Sequence, residues 1–269
     1  MCNVYTGSFN KKDIIVKIPR QDSPVTSRND LELEIVLLKE LSHPNIVEII
    51  CAGTMPENMP FMGMEYLAGG NLSKNVSHKK FPYTLKESID YALDIASTFQ
   101  FLHEDAVPGH IILHRDLKPD NICFTKAGQL KIIDFGLAKV VRRKYHNLSE
   151  PFRMTGLTGS LRYMAPEVGL ERPYNEKADV YSWSLVTWYI LTRQRPFMNV
   201  SFDEFQAKVF ENNLRPLLDS RWPAQLQVLL KDSWDKNYKK RPSFKVIVEA
   251  LKGILPTVSS STSCCAIFC

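Results

Sequence analysis

The sequence contains no run of about 18 apolar residues, the length that would carry a helix across a bilayer. Its opening, Met1-Cys2-Asn3-Val4-Tyr5, lacks the basic segment and apolar run of a secretion signal. Cysteine is scarce and unpatterned: six residues in 269, with no CxxC spacing for a metal or redox pair. Reduced thiols and an intracellular, cytoplasmic setting are therefore expected. The N-x-S sequons at Asn71, Asn75, Asn147 and Asn199 are then chance matches. There is no internal repeat. Neither sign of charge dominates, since 34 Lys and Arg against 29 Asp and Glu leave +5. That balance suits an anionic ligand or an ordinary surface equally, and no nucleic-acid partner is expected. What remains is a globular composition, 44% hydrophobic and 23% charged, long enough for a sizeable core in one large domain or two lobes.

The first part reads as a small sheet with one helix. Residues 13–19 form an apolar strand (Ile14, Ile15, Val16, Ile18) interrupted by Lys17, a charge that is costly to bury unpaired. Residues 28–41 read as a helix with Leu31, Ile35 and Leu38 along one stripe. Glu34 adjoins that stripe and needs a partner as much as Lys17 does; pairing the two answers both. Strands are expected at 47–52 and 61–64, with Pro56, Asn58 and Pro60 turning the chain between them. A boundary falls over residues 65–70. Beyond it Thr84-Leu85-Lys86-Glu87 is a capping box that opens a helix to about Leu102. A hairpin over 122–125 and 130–133 turns at Ala127-Gly128. Residues 179–191 are apolar on nearly every side and read as a fully buried helix. Further helices are expected near 202–212, 224–235 and 243–251.

Two loops carry the chemistry: His114-Arg115-Asp116-Leu117-Lys118-Pro119-Asp120-Asn121, and Asp134-Phe135-Gly136. Two acids, an amide and a lysine are what a phosphoryl-transfer site needs, because that chemistry is mostly positioning and charge neutralisation. Asp116 can accept the proton of an acceptor hydroxyl. Asn121 and Asp134 offer oxygen ligands suited to Mg²⁺, or to Mn²⁺. Lys118 can stabilise charge on the migrating group. Three residues such as Asp-Phe-Gly match by chance often, but both patterns in order do not.

These two loops, with Ile15-Val16-Lys17, the Glu34-to-His43 spacing, Ala165-Pro166-Glu167, Asp179-Val180-Tyr181-Ser182 and Lys240-Arg241-Pro242-Ser243-Phe244, resemble the eukaryotic protein kinase family over residues 4–252. The closest likeness is to its tyrosine-kinase-like group, in serine/threonine form. The resemblance implies an α+β, bilobal fold: residues 1–67 as a small, incomplete β-rich lobe, 68–255 as a larger helical lobe, and 256–269 as a flexible Ser/Cys tail. It implies a serine/threonine kinase in signalling, with ATP and protein substrates as partners and Asp116, Lys118 and Asn121 as the catalytic set. Lys17, Glu34, Val4, Ile15, Met64, Glu65, Leu67 and Cys123 would serve nucleotide binding, Lys17 on the phosphates, Met64 as gatekeeper, and the Glu65 and Leu67 backbones on the adenine. Asn121 and Asp134 would hold the metal. Phe135, His114, Leu38 and Ile49 would stack as a spine, and Arg241 would bridge Glu167. Arg115 would answer a phosphate placed on Thr155 or Thr158 by an upstream kinase, with Arg142, Arg143 and Lys144 assisting. Ser160 would touch Asp116 and Lys118.

The family's G-x-G-x-x-G-x-V is expected to be missing. Val4 aligns with its final valine, and Cys2 falls where the last glycine belongs. Ile15 replaces a customary alanine. A shortened active kinase, a natural short form of low activity and a non-catalytic binding scaffold compete as explanations; the intact chemical residues favour the first. Ala266 occupies the position at which prenylation needs cysteine; palmitoylation of Cys264 or Cys265 stays open as a membrane route, but a polar tail with incidental cysteines is the expectation.

Overall fold

The computed structural model describes residues 2–22, 24–77, 84–143 and 161–258. Strands β1 (Cys2–Phe9) and β2 (Lys12–Pro19) form a hairpin whose turn residues, Asn10 and Lys11, both take positive φ. That left-handed pair matches the twist of the flanking strands. Helix α1 (Val25–Glu40) follows, then β3 (Ile49–Met55) and β4 (Met59–Glu65). The four strands make one antiparallel sheet in the order β1-β2-β4-β3. Its register sets Val4 opposite Lys17 and Lys17 opposite Met62, and it sets Ile15 opposite Met64 and Met64 opposite Ile49. Directly opposed residues share a face and alternate residues share it too. Val4, Ile15, Lys17, Met62 and Met64 therefore line one side of the sheet.

After Glu65 the chain turns helical. Strand β5 (Gly70–Asn71) and helix α2 (Leu72–Ser77) lead to α3 (Leu85–Gln100), then to β6 (His110–Leu113), β7 (Ile122–Phe124), β8 (Leu130–Ile132) and β9 (Lys139–Arg142). β5-β7-β8 form a small sheet, and β6 pairs with β9. The helices α4 (Pro166–Gly169), α5 (Lys177–Thr192), α6 (Phe202–Phe205), α7 (Ala224–Ser233) and α8 (Phe244–Ile254) complete the chain. The arrangement is α+β, a sheet-rich part followed by a helical part.

Helix α5 is the centre of the helical part, buried from Ala178 through Thr192. Trp183 ties it to α3 by donating its indole N–H to the Ala92 carbonyl at 3.0 Å. Phe244 of α8 stacks on Phe99 of α3 with ring centroids 5.1 Å apart. The α3 capping box is complete: Glu87 N–H donates to Thr84 Oγ1 at 3.2 Å, and Thr84 N–H donates to Glu87 Oε2 at 2.7 Å. Arg241 is fully buried and grips Glu167 with two bonds of 2.6 and 2.8 Å.

Several elements differ from the sequence reading. Helix α1 begins at Val25 rather than residue 28. The helix near 202–212 starts as α6 and widens into a π-turn over Gln206–Glu211. Strand β1 and the β6–β9 pair carry no clear local pattern. Val4, Tyr5 and Phe9 of β1 are exposed, so the strand shows no buried alternation, and β6 meets β9 only across intervening loops.

Candidate active site

Lys17 reaches from β2 to the helix and to the Asp-Phe-Gly loop at once. Its Nζ donates to Glu34 Oε2 at 2.8 Å, to Glu34 Oε1 at 3.1 Å and to Asp134 Oδ1 at 2.9 Å. Glu34 also accepts the Phe135 N–H at 3.0 Å. One buried carboxylate on α1 thus fixes both the lysine and the loop that carries Asp134. A Cβ at Gly136 would stand 3.3 Å from Asp134 Oδ1 and 3.4 Å from Glu34 Oε2, a close approach that glycine relieves.

The electrostatics follow from burial and pairing. Desolvation pulls the Lys17 ammonium down, but Glu34 and Asp134 outweigh it, and its pKa rises above the usual lysine value. Glu34 is raised, chiefly by burial and only partly offset by Lys17. Burial likewise pushes Asp134 up, yet the opposing pull of Lys17, with His114 and Lys118 further off, leaves it below the usual carboxylate range. The Asp134 side chain keeps 42% of its surface open, so an anionic oxygen faces the cleft.

The His114–Asn121 loop is shaped by a buried acid from α5. Asp179, 1% exposed, accepts the backbone N–H groups of His114 (3.0 Å) and Arg115 (2.8 Å) and pairs with His103 Nε2 at 3.0 Å. Arg115 lies at φ 67° and Asp134 at φ 64°, left-handed conformations that non-glycine side chains resist. Within the loop, Lys118 Nζ donates to Asp116 Oδ2 at 2.6 Å. Asn121 Nδ2 donates to the Asp116 carbonyl at 2.9 Å and to Oδ2 at 3.1 Å. Both side-chain donors thus address Oδ2, and Asp116 Oδ1 accepts no hydrogen bond among the described residues. The Asn121 Oδ1 likewise accepts no hydrogen bond among the described residues.

His114 and Phe135 stack edge-on, centroids 4.8 Å apart. Leu38 is buried and Ile49 half-buried in the same core. Met64 is 9% exposed. The Leu67 carbonyl accepts the Gly70 N–H at 3.1 Å, while the Leu67 N–H meets no acceptor among the described residues. The Glu65 side chain turns back to Lys131 (2.9 Å) and to the Glu48 N–H (3.0 Å). Cys123 is half-buried on β7, and burial pushes its thiol up to about 11. Val4 is exposed on the edge strand.

Arg115 donates through Nε to the Leu137 carbonyl at 2.6 Å and through NH1 to the Tyr174 hydroxyl at 3.3 Å. Arg143 is held by the His103 carbonyl at 2.8 Å, and Arg142 ends β9. Lys144, Thr155, Thr158, Ser160 and the tail cysteines Cys264 and Cys265 lie outside the described residues. Sequence reasoning missed His103, Tyr174, Lys131 and the anchoring role of Asp179. The available signal was Asp179 itself, a charge at the head of an all-apolar helix that had to find buried donors.

One ammonium, Lys17, thus bridges the buried Glu34 and the partly open Asp134, and Asp134 in turn feels Lys118 of the loop that carries Asp116 and Asn121. The family model "Protein tyrosine and serine/threonine kinase" matches residues 1–251, and the chain belongs to that family. Membership implies ATP and a divalent cation. Among similar proteins, Serine/threonine-protein kinase VIK of Arabidopsis thaliana is 38% identical over 86% of this chain and 52% of its own length. Serine/threonine-protein kinase 12 of the same plant is 34% identical over 91% of this chain and 52% of its own. Dual specificity protein kinase shkA of Dictyostelium discoideum is 34% identical over 94% of this chain and 47% of its own. The chain thus spans about half the length of these three relatives.

Proposed function

We propose that this chain transfers the γ-phosphoryl group of ATP to serine or threonine hydroxyls of proteins, in a signalling role. The observation that carries the reading is the convergence on one cleft of Lys17, Glu34 and Asp134 with Asp116, Lys118 and Asn121: Asp134 feels both lysines. The divalent ion, Mg²⁺ or Mn²⁺, would be held by Asp134 and the Asn121 Oδ1, hard oxygen donors suited to it, and would neutralise phosphate charge. Lys17, steadied by Glu34, would bind the phosphates. Asp116 would take the acceptor proton on Oδ1, the oxygen left open, while Lys118 and Asn121 orient it through Oδ2. Leu67 would offer its N–H to the adenine beneath Met64, with Val4, Ile15 and Cys123 around the base.

The residue ranges 1–67 and 68–255 are offered as the two lobes of that domain, and 256–269 as a tail. The binding-scaffold alternative is not favoured, because Lys17, Asp116, Asn121 and Asp134 are all present. A cytoplasmic setting is supported by the free thiols of Cys2, Cys51 and Cys123; no helix among the described residues is long and apolar enough to cross a membrane. Phosphorylation of Thr155 or Thr158 by an upstream kinase would raise activity through Arg115.

The test is incorporation of labelled phosphate from ATP–Mg²⁺ into a generic protein substrate, against an Asp116→Asn control, with phosphoamino-acid analysis. Turnover at least about 10²-fold above the control is expected, as for loss of a general base. No difference between the two proteins would overturn the reading, and phosphotyrosine as the main product would overturn its serine/threonine part. Full activity in a Thr155→Ala, Thr158→Ala double variant would remove the regulatory proposal.

A further inference from the structure

A cavity of about 410 Å³ lies beyond the Lys118–Asp116 ion pair, with Lys118 in its wall. Its lining is polar and apolar in similar measure, with Leu161, Met164 and Phe205 on the apolar side. Four charged residues also line it, and they are not equivalent. Lys118 is committed to Asp116. Arg162 turns inward and donates NH1 to the Pro196 and Phe197 carbonyls, closing the loop that follows α5. Asp120 is exposed and makes no ion pair among the described residues. Arg195 is exposed as well, with no hydrogen bond or ion pair among the described residues. The cavity therefore joins a slot walled in part by Leu161, Met164 and Phe205 to a guanidinium with no partner among the described residues, next to the carboxylate assigned to the acceptor hydroxyl.

We infer that Arg195 reads an acidic side chain flanking the acceptor hydroxyl, so that the preferred substrates are segments with Glu or Asp beside the phosphorylated Ser or Thr. This rests on the phosphotransfer reading above. The slot would take the methylene stem, and the planar guanidinium fork would meet the carboxylate at the rim. A phosphorylated side chain at the same place shares that chemistry. Because Arg195 is exposed, the preference would be screened by salt.

The experiment uses the full chain and four peptides that differ at one position flanking a single serine: Glu, phosphoserine, Gln or Lys. Binding is read by fluorescence anisotropy, independently of turnover, and turnover is read in parallel. The Glu peptide should bind roughly tenfold more tightly than the Lys peptide, the scale of one partly exposed charge-assisted contact. Arg195→Glu should invert that order. A phosphoserine peptide that outbinds Glu, with the same inversion, would keep the site and assign it to substrates already phosphorylated once. The same order in wild type and Arg195→Glu, equal binding of all four peptides, or no binding would overturn the inference. Inverted binding without turnover would sink only the kinase reading, whereas turnover without charge preference would sink only this one.

Discussion

Burial alone would lower the pKa of the Lys17 ammonium; the carboxylates of Glu34 and Asp134 carry it above the usual lysine value instead. Removing the lysine therefore does two things, deleting the proposed phosphate contact and leaving two acids without their cation. Lys17→Met is expected to weaken ATP binding at least about tenfold, a loss readable by titration calorimetry. Cys123 gives a second prediction at this scale. Its thiol, pushed up to about 11 from 9.0, should alkylate far more slowly at pH 8 than an unperturbed thiol, as peptide mass spectrometry would show. The stability sign follows. Between pH 9 and about 11 the unfolded thiol ionises and the folded one does not, so the fold holds more protons and stability falls as pH rises. Lys17 adds to this in the same direction: its contribution is full below 10.5 and is lost as pH climbs through its higher folded value. A thermal midpoint that increased from pH 9 to 11 would contradict both.

At the level of elements, what the sequence made legible was what local chemistry writes. The Thr84–Glu87 box, the apolar girth of α5 and the Lys17–Glu34 complementarity each follow from neighbours or from a charge that needs an opposite. Thr84→Ala should cost about 1 kcal/mol in denaturant unfolding, the usual value of a side-chain cap. What stayed illegible joins distant segments without a local pattern. Strand β1 exposes its apolar residues, the β6–β9 pairing depends on where two loops end, and the Glu65–Lys131 pair links the end of β4 to β8. Arg195 offered no signal at all, since an arginine near a helix end is ordinary until the cavity beside it is seen. The two functional loops were readable because their residue types are dictated by the reaction, whereas the acid that shapes one of them was readable only as an unexplained charge.

Across the whole molecule, the helical part is held together by a polar pin as well as by apolar contact. Glu167 and Arg241 join the segment before α5 to the segment before α8 in full burial. Removing one partner leaves an unpaired buried charge, so Glu167→Ala should lower unfolding free energy by about 3–5 kcal/mol. Replacing both residues with apolar ones of similar volume should recover much of that loss. Chemical denaturation of the single and double variants checks both statements.

Asp179 carries a consequence for how the protein comes to exist. The left-handed turn at Arg115 is costly by about 1–3 kcal/mol and is stabilised by a carboxylate that enters the chain more than sixty residues later. During synthesis the catalytic loop is therefore complete in sequence long before it can be complete in shape. Competence should arrive late, when α5 docks, and not when the loop itself is made. A ribosome-stalled chain ending before Lys177 should show no ATP-dependent protection of the loop from proteolysis, while one extended past α8 should show it. Early protection would mean that the loop finds its form without its anchor.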